Sequence, residues 1–198
     1  MTLFGLPGRL SGADAVAKFN RPRFRNLFGL LARRIRIHEP GDSSTRVPPF
    51  IERLWMPSYA LCFHTEFGEK TSLVWAAIDA WSGAFTLIDN YDEFQSVDAE
   101  GESFPPNLDE ATAVEMARKC LLQAVLRQRG QFNKPIVGDL EKSLVFHMPV
   151  WVLYRRRRNG RIDIRVLEGH SGAIAGAKMR VAVLDALIAS AKRGKNTV

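Results

Sequence analysis

Apolar side chains recur at helical spacing in three stretches. Phe24, Leu27, Phe28, Leu31 and Ile35 fall at i, i+3, i+4, i+7 and i+11, which predicts an amphipathic helix over 23–37. Pro22 suits its first turn, Arg33, Arg34 and Arg36 favour the helix dipole at its end, and Pro40-Gly41 stops it. Over 108–129, Val114, Ala117, Leu121 and Val125 make a second stripe. Asn107 with Glu110 three residues later reads as its cap, and Gly130 fits a left-handed end. A third helix is expected over 177–193, with Val181, Leu184, Leu187 and Ile188 on its apolar side. Residues 1–22 carry the breakers Gly5, Pro7, Gly8 and Gly12 and hold at most one short helix near 13–19.

Between the helices the pattern changes to strands. Residues 50–64 and 72–79 are rich in aromatic and β-branched side chains and flank Glu66-Phe67-Gly68-Glu69, a connection of hairpin length. Asp79-Ala80-Trp81-Ser82-Gly83 reads as a turn, followed by a strand over 84–88. Residues 140–154 and 161–167 form a second hairpin around Asn159-Gly160, read as a two-residue type I′ turn. That turn sets Arg158 opposite Arg161, Arg157 opposite Ile162, Arg156 opposite Asp163, Arg155 opposite Ile164 and Leu153 opposite Val166. Trp151, Leu153, Ile162, Ile164 and Val166 would then share the core face. Residues 89–107 are acidic and end in Pro105-Pro106, as a solvated linker would.

The chain reads as written twice. Met56-Pro57-Ser58-Tyr59-Ala60-Leu61 matches Met148-Pro149-Val150-Trp151-Val152-Leu153, and Asp79-Ala80-Trp81-Ser82-Gly83-Ala84 matches Glu168-Gly169-His170-Ser171-Gly172-Ala173. A helix ends about 18 residues before each Met-Pro, at His38 and at Gly130. The expected fold is α+β: a tandem duplication of a helix plus antiparallel hairpin and sheet, with the helices on one sheet face. The parts are an N-terminal segment (1–22), a first repeat (23–88), an acidic linker (89–107), and a second repeat with a C-terminal helix (108–198).

A helix, a strand led by an aromatic, a hairpin, and a strand ending in Asp-x-x-x-Gly resembles the small PepSY-type module. The matching residues are Asp79 to Gly83, with Glu168 to Gly172 as a degraded copy. The resemblance covers about residues 24–88 and 109–176. Members of that family are mostly secreted or membrane-anchored, and act as inhibitory or accessory domains without catalysis. The resemblance implies the fold and a non-catalytic binding or regulatory role toward a protein or peptide partner, and brings no binding residue with it.

Charge adds a second candidate. Residues 1–53 carry ten basic against four acidic side chains, 54–110 one against eleven, and 111–198 seventeen against six. An acidic middle between basic ends suggests internal matching or an anionic partner. Arg155, Arg156, Arg157, Arg158 and Arg161 crowd one hairpin tip and are the candidate contact for an anion or a polyanion such as nucleic acid. Their internal alternative is the acidic segment 89–102. The basic helix over 23–37 permits contact with a membrane surface, although its stripe serves equally as a core face.

No linear motif announces catalysis. Gly169-His170-Ser171-Gly172-Ala173 lacks the second glycine of a nucleophile elbow, and Ser82 repeats the turn with Trp81 in place of His170. Cys62 and His64 share a strand face but have no further ligands at metal spacing, so no metal or cofactor is expected. Cys62 and Cys120 read as reduced core residues. Trp55, Tyr59, Phe63, Trp75, Trp81, Trp151 and Tyr154 could stack bases but suit a two-layer core, Trp81 least clearly. Neither a signal peptide nor a membrane-length apolar run is evident, so a cytoplasmic protein is expected.

Overall fold

The computed structural model describes residues 1–21, 37, 47–67, 70–127 and 136–195. In chain order these form β1 (Thr2–Gly5), α1 (Gly12–Asn20), β2 (Phe50–Phe67), β3 (Lys70–Asp79), β4 (Phe85–Ile88), a 3-10 turn (Tyr91–Glu93), β5 (Gln95–Asp98), β6 (Glu102–Ser103), α2 (Glu110–Arg127), β7 (Ile136–Arg156), β8 (Ile162–Glu168) and α3 (Ala177–Lys195). The fold is α+β, with one mixed sheet of eight strands. The helix expected over 23–37 lies outside the described residues, apart from Ile37. Among the described residues no helix is long and apolar enough to cross a membrane.

β2 and β7 form the antiparallel centre, with Met56 opposite Met148 and Ser58 opposite Phe146. β3 and then β4 lie outside β2, and β8 lies outside β7. Two short parallel strands extend these flanks, β6 on β2 and β1 on β7, and β5 adds to β1. Ser58 pairs with Asp79 on one flank, and Val150 pairs with Glu168 on the other.

The same hydrogen bonds recur on both flanks. The Ala80 N–H donates to the Pro57 carbonyl and the Gly169 N–H to the Pro149 carbonyl. The Gly83 N–H reaches the Asp79 carbonyl and the Gly172 N–H the Glu168 carbonyl, with φ +64° at Gly83 and +72° at Gly172. Beside the parallel strands, the Phe104 N–H donates to the Trp55 carbonyl and the Leu6 N–H to the His147 carbonyl. The helix caps also correspond. Ser11 holds the Asp14 N–H in a capping box, and Asp109 accepts the Thr112 N–H at 2.8 Å. The α2 cap is thus Asp109, where sequence pointed to Asn107: the Asn107 N–H is instead spent on the Ala80 carbonyl.

Side chains alternate across the sheet, and both faces are apolar. Tyr59, Leu61 and Phe63 pack against Ala113, Ala117 and Leu121 of α2. On the same face, Ile51, Trp151, Leu153 and Leu167 pack against Ala15 and Phe19 of α1. The intervening positions Leu54, Met56, Val150, Val152, Ile164 and Val166 receive Ala182, Val183 and Ala186 of α3. The helices therefore cover two faces instead of the expected one, because the central strands are apolar at consecutive positions. The face of α3 also differs from expectation. Val181 and Ile188 are about half exposed, and the alanines turn inward because the strands already supply bulk.

Residues 89–107 are integrated into the sheet and are not an unpaired loop. They contain the 3-10 turn, β5 and β6, and they bury Val97, Ala99 and Phe104. Of the two cysteines, Cys62 is buried and Cys120 half-buried.

Candidate functional site

A cavity of about 530 Å³ lies on the α3 face, between the start of that helix and the segment 84–94. Leu6, Ile88, Phe94, Phe146, Met148 and Met179 give it apolar walls. Aromatic contacts hold its roof: Phe94 meets Phe146 edge-on at 4.6 Å, and Tyr91 stacks on Trp75 at 4.1 Å.

Ser58 and Asp79 line this cavity, brought together by the β2–β3 register. Asp79 ends β3, and its Oδ1 organises the turn. It accepts the Trp81 N–H at 3.1 Å, the Ser82 N–H at 2.5 Å and the Ser82 hydroxyl at 2.7 Å. Its Oδ2 is buried and has no hydrogen-bond partner among the described residues. Ser58 is 1% exposed, and its Oγ is likewise unpartnered. An unsatisfied buried polar atom costs on the order of 1–3 kcal/mol, so two at one cavity call for a complementary group.

Glu168, the counterpart of Asp79, also lines the cavity, and its Oε2 accepts the Ser171 hydroxyl at 2.6 Å. Beside it, His170 places Nδ1 2.9 Å from the Pro7 carbonyl oxygen and Nε2 2.8 Å from Glu93 Oε2. Arg9 reaches the same Glu93 oxygen at 3.3 Å. This cluster ties the N-terminal segment, the 3-10 turn and the second Ser-Gly turn together at the cavity wall. Ser171 and His170 thus point to separate partners, and the sequence likeness to a nucleophile elbow carries no nucleophile–base pair.

No family model, no curated protein and no solved structure matches this chain.

The arginine hairpin takes a different geometry from the one expected. The Arg157 N–H donates to the Arg161 carbonyl at 2.8 Å and the Gly160 N–H to the Arg157 carbonyl at 2.9 Å. Gly160 has φ +79°, and among the described residues no non-glycine has positive φ. Asn159 therefore cannot form half of a type I′ turn, and the connection is a type I turn closed by a glycine bulge. Pairing shifts by one residue: Arg155 faces Asp163, Arg156 faces Ile162, and Leu153 faces Arg165. The shift moves Trp151 and Leu153 to the α1 face, away from Ile164 and Val166.

The shift also places Asp163 among three arginines. It receives Arg157 at 2.9 Å and Arg155 at 3.5 Å, with Arg180 of α3 at 4.0 Å. Burial pushes the Asp163 carboxyl up, but the Arg157 hydrogen bond and the three guanidinium charges outweigh it and hold the group below the usual range. Arg156, Arg158 and Arg161 are exposed. Arg155 to Arg158 border a hollow of about 380 Å³ with Pro48 and Pro49, and Arg161 is not among its lining. The acidic segment pairs elsewhere, Glu93 with Arg9 and His170 and Asp98 with the N-terminal ammonium.

Trp55, Tyr59, Phe63 and Trp151 are buried, and the Trp81 Nε1–H donates to the Pro105 carbonyl at 3.1 Å. Burial raises the Cys62 thiol above its usual range, while His64 is exposed and sits 3.0 Å from Glu141. Ser58 and Asp79 stand in the two matched segments, and no linear motif marks either as a site. The sequence does carry a signal there, a serine inside an apolar strand where the matching segment has Val150.

Proposed function

We propose that the chain is a non-catalytic binding protein built from two tandem PepSY-like units, with the cavity beside Asp79 as its ligand site. The observation that carries this reading is the pair of buried atoms without a partner among the described residues, Ser58 Oγ and Asp79 Oδ2, at a cavity with apolar walls and a charged rim. Apolar walls around a few placed polar groups are the usual make-up of a small-ligand site, and 530 Å³ is an ordinary size for one.

The matched hydrogen bonds support the duplication. Each unit comprises a short strand, a proline, a capped helix, a long strand, a hairpin and a Ser-Gly turn. Leu6-Pro7 corresponds to Phe104-Pro105, Leu10 to Leu108 and Ser11 to Asp109, so the first unit begins at β1. The helices are exchanged, α1 packing on β7 and β8 and α2 on β2 and β3. The cavity lies where both turns meet, since Asp79 and Glu168 both line it.

The exposed Arg156, Arg158 and Arg161 favour a second reading, a polyanion contact at the hairpin tip. One comparison separates the two. Thermal shift and ligand-observed NMR with a panel of small amphipathic molecules, and binding of random-sequence DNA and RNA at several salt concentrations, are run on the native chain and on Ala77→Leu, which fills the cavity from β3. The cavity reading expects hits that Ala77→Leu loses while its circular dichroism is unchanged. Hits confined to random-sequence DNA or RNA, declining steeply with salt, support the second reading instead.

A further inference from the structure

We infer that the cavity takes a primary amine carried on an apolar chain, with the ammonium between Asp79 Oδ2 and Ser58 Oγ. This rests on the cavity reading above and narrows it to a ligand class. Asp79 Oδ1 already accepts three donors from the turn, so the unmet need is for a donor at Oδ2. A carboxylate oxygen and a hydroxyl oxygen can both accept, so a group that satisfies both is rich in donors. An ammonium carries three.

Charge points the same way. Asp79, Asp89 and Glu168 line the cavity against Lys178, while Glu93 and His170, also in the lining, are paired with each other. A buried carboxylate is best offset by a cation that also hydrogen-bonds to it. An anionic ligand head would meet three carboxylates and gain one lysine. Phe94, Phe146, Met148 and Met179 offer a flexible, polarizable wall for an alkyl or aromatic tail.

The test is calorimetric titration of the full chain at neutral pH with n-octylamine, 1-octanol and octanoate, which share one tail and differ in head group. Octylamine is expected to bind at least about tenfold more tightly than octanol, and octanoate more weakly than either. Asp79→Asn keeps an Oδ1 acceptor for the turn and should weaken octylamine about tenfold or more while leaving octanol within about twofold. Ser58→Ala should weaken octylamine by a smaller factor and does not depend on the turn. Lys178→Ala, an exposed change at the rim, should strengthen it. If octanol or octanoate matches octylamine and each is lost in Ala77→Leu, the cavity stands and the amine class is wrong. If no probe binds, or all bind Ala77→Leu undiminished, both readings fall.

Discussion

Met56 faces Met148 directly across the two central strands. They hold equivalent places in the repeated Met-Pro segments, so the pairing is symmetric about them: Ser58 meets Phe146, and Val150 meets Leu54. That register is what the proposed duplication would give, a two-fold relation between the matched segments. Around this centre α1 packs on β7 and β8, and α2 on β2 and β3.

The exchange has a mechanical consequence. Phe19 is 4% exposed and packs against Ile51, Trp151, Leu153 and Leu167. Phe19→Ala should cost about 3–5 kcal/mol. Hydrogen exchange should then accelerate first in β7 and β8, and less in β3. Leu121→Ala on α2 should reverse the pattern. Acceleration confined to the mutated unit's own hairpin would contradict the exchange.

The two Ser-Gly turns should respond alike at their glycines and unlike at their carboxylates. Gly83→Ala and Gly172→Ala each force a side chain into the left-handed region, and each should cost about 1–2 kcal/mol. The nearest atoms to the new Cβ are side-chain ends, Met116 Cε and Lys18 Nζ, which can give way. Asp79→Ala removes three hydrogen bonds from a buried turn and should cost more than about 2 kcal/mol. Glu168→Ala should cost less, since among the described residues its one side-chain partner is the Ser171 hydroxyl. Equal losses in chemical denaturation would refute the distinction.

Much of this was legible before the structure. The long strands, the Asp79 turn and α2 follow from periodicity and turn chemistry. β1, β5 and β6 were missed because they are two to four residues long and held by backbone pairing, with little apolar pattern. The hairpin register failed by one residue because Asn-Gly serves both a type I′ turn and a glycine bulge, and side chains alone do not separate them. The face of α3 was misread because large residues outweigh alanine in a periodicity count. The cavity was invisible because Ser58 and Asp79 lie 21 positions apart and meet only through strand pairing.

Asp163 is the internal partner of the arginine tip. Asp163→Asn leaves Arg155, Arg157 and Arg180 facing one another, and should cost about 1–2 kcal/mol. Added salt should recover part of the loss by screening that repulsion. A melting temperature equal to the native one at low salt would show that the tip needs no counter-charge.

Stability should fall on mild acidification through His147. Burial holds this imidazole below its ordinary range, although contacts with the Phe104 and Phe4 backbones pull it upward. The unfolded chain therefore takes up the proton more readily than the folded one. The contribution of neutral His147 is complete above about pH 6.5 and declines as pH drops through that value toward the folded one. Asp163, whose folded value is depressed, acts lower: its contribution is full above about 3.8 and is lost as pH falls through the folded value. Melting curves between about pH 7.5 and 5 should slope in the native chain and flatten in His147→Gln. Identical slopes would remove His147 from the account.

The central claim is that Ser58 and Asp79 are the polar end of a ligand site. A crystal structure of the full chain grown with n-octylamine tests it most directly. The account predicts the nitrogen within hydrogen-bond distance of Asp79 Oδ2 and Ser58 Oγ, with the alkyl chain against Phe146 and Met148. A cavity holding only ordered water on those two atoms, with the amine elsewhere on the surface, would contradict it.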